Sequence, residues 1–245
     1  MSVTQTIETR AFEDAEALAQ GVARWLCDLG QASPGRFGIC LSGGSTPRRL
    51  YETLAAPPFA LRFPWARSHW FWGDERFAPH DDPASNYGMV RRALLSRVSI
   101  PIDNIHPILT EGVSPEQSAA AYEAVLKEFY GADALGPSRP LFDVTLLGVG
   151  EDGHTASLFP GEAPLKETRR WVLAVNSATY GHRITLTYPA LDSSRDVAFL
   201  VAGKSKRQIV ARVRAGDPAM PAAEVRPVGH LHWFTDRDAL PTGAT

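Results

Sequence analysis

Three titratable side chains, Glu151, Asp152 and His154, follow directly on an apolar run at residues 144–149. Such a run is typical of a strand that is buried on both faces of a parallel sheet. In open α/β sheets, ligands bind at the C-terminal ends of the strands. Carboxylates beside an imidazole at such an end indicate proton-transfer chemistry near neutral pH.

Two other interpretations of this segment compete with proton transfer. Residues 148–153 match the dinucleotide fingerprint G-x-G-x-x-G, but Glu151 and Asp152 occupy its variable positions and would repel a pyrophosphate. The segment could also be a solvated acidic turn with a surface histidine, since such turns are common. The rest of the chain must discriminate between these interpretations.

A second candidate segment, residues 42–47, combines two glycines, three hydroxyl side chains and a proline after the apolar run 37–41. We expect Thr46 to cap a helix and Pro47 to occupy its first position. The unpaired N–H groups at that helix end would form a cup for a phosphate, although a helix cap without a ligand is equally common. The segment matches neither a Walker A loop nor a G-x-S-x-G nucleophile elbow, which ends in glycine rather than proline.

Charged side chains also follow other predicted strands. Residues 74–76, an Asp-Glu-Arg run, come just after the apolar run 69–72, and Arg183 and Lys206 lie beside two further apolar runs. Solvated ion pairs are the usual fate of such groups. However, the carboxyl ends of parallel strands meet at one sheet edge, so we expect these groups to share a cleft. Arginine can bind a phosphate there in a bidentate fashion.

The elements that must position these groups alternate along the chain. Loose alternation predicts a strand at 3–11, and apolar runs predict strands at 37–41, 69–72, 144–149, 171–175, 184–186, 197–201 and 231–234, with an extended segment at 105–109. Helical periodicity and capping signals predict helices from 15 to a break at 33–35, from 46 through 54, and at 87–98, 115–130 and 205–214. This alternation predicts an α/β fold with a parallel or mixed sheet covered on both faces.

Composition and cysteine usage limit the class of protein. The chain has 245 residues, 44% of them hydrophobic and 21% charged, with a formal net charge of −2, which gives no electrostatic case for nucleic acid or an anionic membrane. It has no apolar run near the roughly 20 residues that span a bilayer, and residues 1–12 do not read as a signal peptide. Cys27 and Cys40 are unclustered, as in a reducing cytosol, so we expect a soluble, cytoplasmic protein.

Taken together, the polar segments resemble the signature blocks of the 6-phosphogluconolactonase family. The matching segments are residues 42–47, 73–76 with 85–87, 104–106, 150–161, 183–187 with 189–191, and Gly203 with Lys206. They extend over nearly the whole chain in order, and those at 73–76 and 150–161 are the most specific. The resemblance implies a single Rossmann-like domain over residues 1–245, with a mostly parallel sheet flanked by helices on both faces. Glucosamine-6-phosphate deaminase and ribose-5-phosphate isomerase share that fold.

Two alternative functions belong to the same fold. The deaminase family carries Asn-Glu-Pro where this chain has residues 158–160, so Phe159 replaces an acid of its aldose–ketose chemistry, and it has an aromatic residue in place of Arg76. A non-catalytic sugar-phosphate sensor would carry an appended DNA-binding segment, for which this chain has no room. The presence of Asp152, His154 and Arg76 favours an enzyme.

The resemblance implies a carboxylic ester hydrolase that converts 6-phosphoglucono-1,5-lactone to 6-phosphogluconate in the oxidative pentose phosphate pathway. It implies His154 as general base, oriented by Asp152 or Glu151, with Arg76 either stabilising the developing oxyanion or binding phosphate. The expected substrate- and phosphate-binding residues are Gly43, Gly44, Ser45, Thr46, Asp74, Glu75, Glu151, Arg183 and Lys206.

No metal or organic cofactor is implied, because water and a base suffice for an activated ester. His230 and His232 could face the same side of a strand, but no cysteine or acid stands near them in sequence to complete a metal set. The expected partner is a small sugar-phosphate lactone. The oligomeric state stays open, and the sequence is compatible with a monomer.

Overall fold

A six-stranded parallel sheet forms the centre of the computed structural model, which describes residues 6–241. The strands of the chain are β1 (Ile7–Phe12), β2 (Phe37–Leu41), β3 (Ser68–Trp72), β4 (Asp74–Arg76), β5 (Phe142–Leu147), β6 (Val172–Ser177), β7 (Gly181–Leu186), β8 (Ser194–Val201) and β9 (His230–Asp236). The helices are α1 (Ala15–Ala32), α2 (Ser45–Leu54), α3 (Phe59–Arg62), α4 (Asn86–Val90), α5 (Pro115–Tyr130), α6 (Tyr188–Asp192) and α7 (Arg207–Arg214). The large sheet has the order β1-β9-β8-β5-β2-β3, which confirms the predicted α/β class.

Three of the strands that precede the polar segments lie side by side. In β2, Ile39 is paired in parallel with Trp70 of β3 on one side and Val144 of β5 on the other. All five residues of β2 are buried, because helices cover both faces of the sheet. The C-terminal ends of these strands therefore lie at the same edge.

Capping explains where the two long helices begin. The Asp14 side chain accepts hydrogen bonds from Glu16 and Ala17 at the start of α1. Ser114 and Gln117 form a reciprocal capping box at the start of α5, where the sequence predicts a helix start. These caps satisfy amides that would otherwise lack partners.

A second, antiparallel sheet of order β4-β7-β6 was not predicted from the sequence. It forms because the chain turns at Gly73, leaves the large sheet, and pairs residues 74–76 with β7. Asp74 lies opposite Thr185, and Arg76 lies opposite Arg183. Three consecutive polar residues show no apolar alternation, so nothing in this run indicates a strand.

Several predicted boundaries are wrong. The predicted helix 87–98 is instead α4 followed by a π-helical segment, Arg91–Leu95. Residues 105–109 form no strand, and only an isolated bridge joins Ile105 to Trp70. The predicted helix 205–214 begins with a 3₁₀ turn, Lys204–Lys206, ahead of α7. The first strand, predicted at 3–11, corresponds to β1, Ile7–Phe12. Residues 3–5 of that prediction lie outside the described residues.

Both sheets contribute to one hydrophobic core. Val144 of β5 and Phe199 of β8 belong to the same buried cluster as Val172 of β6 and Ile184 of β7. This shared core supports a single domain over residues 1–245, which stays a prediction. Within residues 6–241, no helix combines the length and apolar character needed to cross a bilayer.

Candidate active site

A cleft of about 500 Å³ opens at the C-terminal edge of the large sheet. Its size falls in the range of small-molecule sites. Of the residues that the sequence singled out, the following line it: Gly43, Gly44, Ser45, Thr46, Asp74, Arg76, Glu151, His154, Arg183 and Lys206. Asp152 and Glu75 lie outside the lining, the first directly behind His154 and the second in the interior.

An Asp–His pair stands in the turn after β5. The Nδ1 atom of His154 lies 2.6 Å from Oδ1 of Asp152, and the same oxygen accepts a hydrogen bond from the backbone N–H of His154 at 3.1 Å. With Nδ1 engaged, Nε2 is the ring nitrogen left for a ligand or a water molecule. Of the two carboxylates that could orient the imidazole, Asp152 is therefore the one in contact, whereas Glu151 is exposed at the cleft.

The surroundings of Asp152 keep its carboxylate ionised. Partial burial alone would raise its pKa, but hydrogen bonds and charge from His154, together with the Tyr180 hydroxyl, outweigh burial and lower it. An ionised carboxylate is a stronger hydrogen-bond acceptor for an imidazole N–H than a protonated carboxyl group is. It also stabilises the imidazolium once the ring takes a proton. The pair therefore has the composition of a general base with its orienting acid.

Gly150 makes room for this pair. A Cβ atom at position 150 would lie 2.1 Å from Nδ1 of His154 and 2.7 Å from Oδ1 of Asp152. The backbone N–H of Gly150 also donates a hydrogen bond of 2.8 Å to the carbonyl of His154, which closes the turn. The imidazole thus packs directly on the backbone at residue 150, where any side chain would displace it.

The glycine loop before α2 forms part of the cleft wall. The helix begins at Ser45, with Gly44 as N-cap at φ 106°, so the predicted cap at Thr46 with Pro47 in first position is wrong by two residues. The left-handed φ of Gly44 is a conformation that side chains disfavour, which is why glycine rather than threonine precedes the helix. Within residues 6–241 no side chain caps α2, and Ser45 and Thr46 at its start line the cleft, so the positive end of its dipole lies there. The Tyr51 hydroxyl holds the loop by donating to the Ser42 carbonyl at 2.8 Å.

Three cationic side chains line the same cleft as this loop. Lys206 donates from Nζ to the Val149 carbonyl at 2.8 Å, and the Arg76 guanidinium contacts the carbonyl of Ala84. Arg183 donates to the carbonyl of His182 at 3.0 Å. Burial and the nearby charge of Arg76 lower the pKa of Arg183. Among residues 6–241, none of the three cations forms a salt bridge with a carboxylate, so their charge is available to an anion in the cleft.

Glu75 has a structural position rather than a place in the cleft. It is buried, and its carboxylate accepts hydrogen bonds from the backbone N–H groups of Arg76, Asn86 and Tyr87 at 2.8, 2.7 and 2.7 Å. Burial raises its pKa even though these donors oppose the shift. The Ser85 hydroxyl completes the set at 3.2 Å. Glu75 therefore fixes the start of α4 against β4 and does not face a substrate.

Asp74 lies at the floor of the cleft within a buried polar cluster. Its Oδ2 accepts a hydrogen bond of 2.7 Å from the Ser157 hydroxyl, and its Oδ1 accepts one of 3.2 Å from the Asn86 amide. Ser157 and Asn86 also line the cleft, although the sequence reasoning assigned them no role. Both residues lie in segments that resemble the family signature, 150–161 and 85–87, so the sequence could have indicated them.

Aromatic side chains close one side of the cleft. The rings of Phe159 and Tyr180 are stacked with centroids 4.3 Å apart, and each is in an edge-type contact with the His154 ring, with centroid distances of 4.9 and 5.4 Å. Tyr180 has no sequence signal, since it lies in the three-residue turn between β6 and β7, in the sheet that was not predicted.

The fold and this cleft define an α/β protein that combines the N-terminus of a helix with an Asp–His pair at one sheet edge. A comparison with known families is more specific. The chain belongs to the family of glucosamine-6-phosphate isomerases and 6-phosphogluconolactonase, which matches residues 13–233.

Individual relatives agree with this membership and confirm the family resemblance. The 6-phosphogluconolactonase of Nostoc sp. is 44% identical over 209 residues, covering 84% of each chain. That of Mycobacterium tuberculosis is 40% identical over 239 residues, covering 93% of this chain and 95% of its own. The solved 6-phosphogluconolactonase from Trypanosoma cruzi superposes with a TM-score of 0.82 at 30% identity, covering 98% of this chain and 97% of its own.

A solved monomeric glucosamine-6-phosphate deaminase has a TM-score of 0.78 at 20% identity, with 95% of this chain and 98% of its own covered. At that identity the match shows a common fold and nothing about activity. The choice between the two activities of the family therefore depends on side chains in the cleft.

Proposed function

We propose that this protein hydrolyses 6-phosphoglucono-1,5-lactone to 6-phosphogluconate, the second step of the oxidative pentose phosphate pathway. The observation that carries the proposal is the meeting of the Asp152–His154 pair with the uncapped N-terminus of α2 in one cleft. The Asp152–His154 pair offers a base for water, and the N-terminus of α2 offers a binding place for the phosphate of the same small molecule. The names of the relatives from Nostoc and Mycobacterium tuberculosis support the same activity.

In this proposal the phosphate binds at the backbone of the glycine loop, residues 43–46, with Arg183 and Lys206 as cationic partners. Amides at the positive end of a helix dipole bind phosphate without any change in their own protonation. Arg183 adds a planar pair of donors, and Lys206 adds a point charge. Anchoring the phosphate there places the lactone ring in the rest of the cleft, toward His154.

The reaction needs one base and one stabilised negative charge. Nε2 of His154 accepts a proton from water as the water oxygen forms a bond to the lactone carbonyl carbon, and the carbonyl electron pair moves to its oxygen. When the tetrahedral intermediate collapses, the bond to the ring oxygen breaks and that oxygen takes the proton back from Nε2. The carboxylic acid so formed then ionises into solvent. Asp152 holds the imidazole throughout and stabilises its protonated form.

We assign Arg76 to the developing oxyanion, because Arg183 and Lys206 already serve the phosphate. Preorganised positive charge at the position where negative charge develops lowers the barrier directly. The contact of Arg76 with the Ala84 carbonyl holds its guanidinium beside the cleft. If Arg76 were instead a third phosphate ligand, its removal would change KM rather than kcat.

The runner-up activity, deamination of an amino-sugar phosphate, is disfavoured by Phe159. Its apolar ring packs 4.9 Å from the His154 ring, at the position where the deaminase family places a carboxylate. A phenyl group cannot transfer the proton that aldose–ketose isomerisation requires. The third candidate, a non-catalytic sensor, has no need for an oriented imidazole beside the anion cup.

The direct test is an assay on freshly generated 6-phosphogluconolactone in the presence of a chelator. We expect the protein to consume the lactone faster than it hydrolyses unaided and to form 6-phosphogluconate. Unphosphorylated glucono-1,5-lactone is the matched control, and we expect its KM to be far higher because the anion cup stays empty. Consumption of the phosphorylated lactone at no more than the spontaneous rate would contradict the proposal.

We further propose that the protein acts in the cytoplasm. Cys27 and Cys40 are both buried and unbridged, as suits a reducing compartment. Detection of the protein in a subcellular fraction other than the cytosol would contradict this assignment.

A further inference from the structure

Two residues, His154 and Tyr180, hold the side chain of Asp152. Its Oδ1 atom contacts the imidazole, while its Oδ2 atom accepts a hydrogen bond of 3.1 Å from the Tyr180 hydroxyl. The carboxylate is about one-third exposed, so the surrounding chain does not enclose it. Rotation of the carboxylate is therefore opposed at Oδ1 by the imidazole and the backbone N–H of His154, and at Oδ2 by the Tyr180 hydroxyl.

The Tyr180 hydroxyl is the donor of this bond. The hydrogen bond to Asp152 raises the pKa of Tyr180 above that of an ordinary phenol, so the hydroxyl keeps its proton at neutral pH. Asp152, ionised there, can only accept. The bond is thus charge-assisted, which makes it stronger than a bond between neutral groups.

Stacking fixes where the hydroxyl points. The Tyr180 ring lies 4.3 Å from the Phe159 ring with an angle of 10° between their planes, and Phe159 is buried. Tyr180 belongs to the turn between β6 and β7, whereas Asp152 and His154 belong to the turn after β5. The contact therefore connects the small antiparallel sheet to the Asp–His pair of the large one.

We propose that Tyr180 is a positioning residue for the Asp152–His154 pair. It acts through Asp152, holding the carboxylate so that Nδ1 of His154 stays protonated and Nε2 stays available as the base. This inference rests on the proposed lactone hydrolysis for its kinetic consequence. Catalytic groups need supporting residues whose packing and hydrogen bonds hold them in the productive geometry.

The kinetic test is Tyr180→Phe, which removes the hydroxyl and keeps the stacked ring. Because one hydrogen bond to a charged group is lost, we expect kcat to fall about 3- to 10-fold, with KM changed less than about 2-fold. Tyr130→Phe is the matched control: its hydroxyl bonds the backbone of Gly136 and Arg139, outside the cleft, and its kcat should equal the wild-type value.

A double-mutant cycle separates positioning from direct action. In an Asp152→Ala background, Tyr180→Phe should change kcat by less than about 2-fold, because the hydroxyl then has no carboxylate to hold. Equal fold-losses in the two backgrounds would overturn the proposal, since Tyr180 would then act on the substrate itself. A raised KM with unchanged kcat would overturn it too, as would an unchanged kcat and KM.

A measurement without substrate tests the positioning role of Tyr180 independently of the proposed activity. In ¹⁵N-labelled protein, assigned with a His154→Asn variant, the His154 imidazole should be one tautomer with the proton on Nδ1. Tyr180→Phe should give a mixture of tautomers or exchange broadening, and Tyr130→Phe should not. An unaltered His154 spectrum in Tyr180→Phe would refute the positioning role, whereas a wild-type protein without lactonase activity would refute only the proposed function.

Discussion

Arg76 and Arg183 are direct cross-strand partners in the small antiparallel sheet, so two guanidinium groups stand side by side at one wall of the cleft. Like charges in such positions destabilise a sheet. In the proposed reaction, an anion bound between or beside them would offset this repulsion. The two arginines nevertheless have separate roles in the proposed reaction.

Removing each arginine should therefore affect different kinetic constants. We expect Arg76→Ala to lower kcat by about 10²-fold, as for the loss of an oxyanion donor, with a smaller change in KM. Arg183→Ala should raise KM more than it lowers kcat, because it removes binding common to the ground state and the transition state. Steady-state kinetics of both variants decide the assignment. An Arg76→Ala variant that changes only KM would make Arg76 a phosphate ligand.

Gly150→Ala should damage catalysis without unfolding the protein. The added methyl group would stand 2.1 Å from Nδ1 of His154, so the imidazole must move away from Asp152. Misplacing a catalytic group by about 1 Å costs up to roughly 10²-fold in rate, and we expect a loss of kcat of that order. Gly35→Ala is the control, since a Cβ there meets nothing within 4 Å. Equal kcat values for the two variants would contradict the close packing described for residue 150.

Glucosamine 6-phosphate should bind through its phosphate but should not be deaminated. Phe159 has no proton to transfer, so ammonia release should stay at the level without enzyme while the compound inhibits lactone hydrolysis competitively. A coupled assay for ammonia checks this. Ammonia release at a rate comparable to lactone hydrolysis would restore the deaminase alternative.

Asp192 should make the stability of the protein fall as pH rises. Burial raises the pKa of its carboxyl to about 7, and the backbone N–H of Arg226 only partly offsets this by donating to Oδ1 at 2.7 Å. The folded state then holds a proton that the unfolded state has lost, so stability declines between about pH 4 and pH 7. The loss is at most about 4 kcal/mol, from a shift of roughly three pKa units.

Asp192→Asn removes this titration and keeps an oxygen acceptor for the Arg226 amide. Urea unfolding at pH 5 and pH 7.5 should show the variant gaining stability relative to the wild type at the higher pH. Parallel pH dependence of the two proteins would mean that Asp192 is ionised throughout this range in the folded state.

Most strands of the large sheet were predictable because they contain a continuous apolar run that ends in glycine or a polar segment, whereas β1, at the sheet edge, shows only loose alternation. β2 was predicted with its observed bounds, Phe37–Leu41, and the predicted starts of β3 and β5 differ from the observed ones by one and two residues. The small sheet was missed because β4 is a polar run of three residues. Its pairing depends on the turn at Gly73 and on β7, far along the chain.

Residue types in the site were predictable, but the contacts between them were not. The sequence places both Glu151 and Asp152 within three residues of His154, and only the fold of the turn determines that Asp152 reaches Nδ1. Glu75 was expected at the substrate because it stands between Asp74 and Arg76. Adjacent residues of a strand point to opposite faces, so Glu75 is directed into the interior toward α4.

The central claim is that His154 is the base. The most direct measurement is kcat for lactone hydrolysis by His154→Ala, with the spontaneous rate subtracted so that the loss is not understated. General-base catalysis is typically worth about 10²–10⁴-fold, so we expect kcat to fall within that range, with KM little changed since other residues bind the phosphate. A His154→Ala protein that folds normally and retains the wild-type kcat would contradict the mechanism.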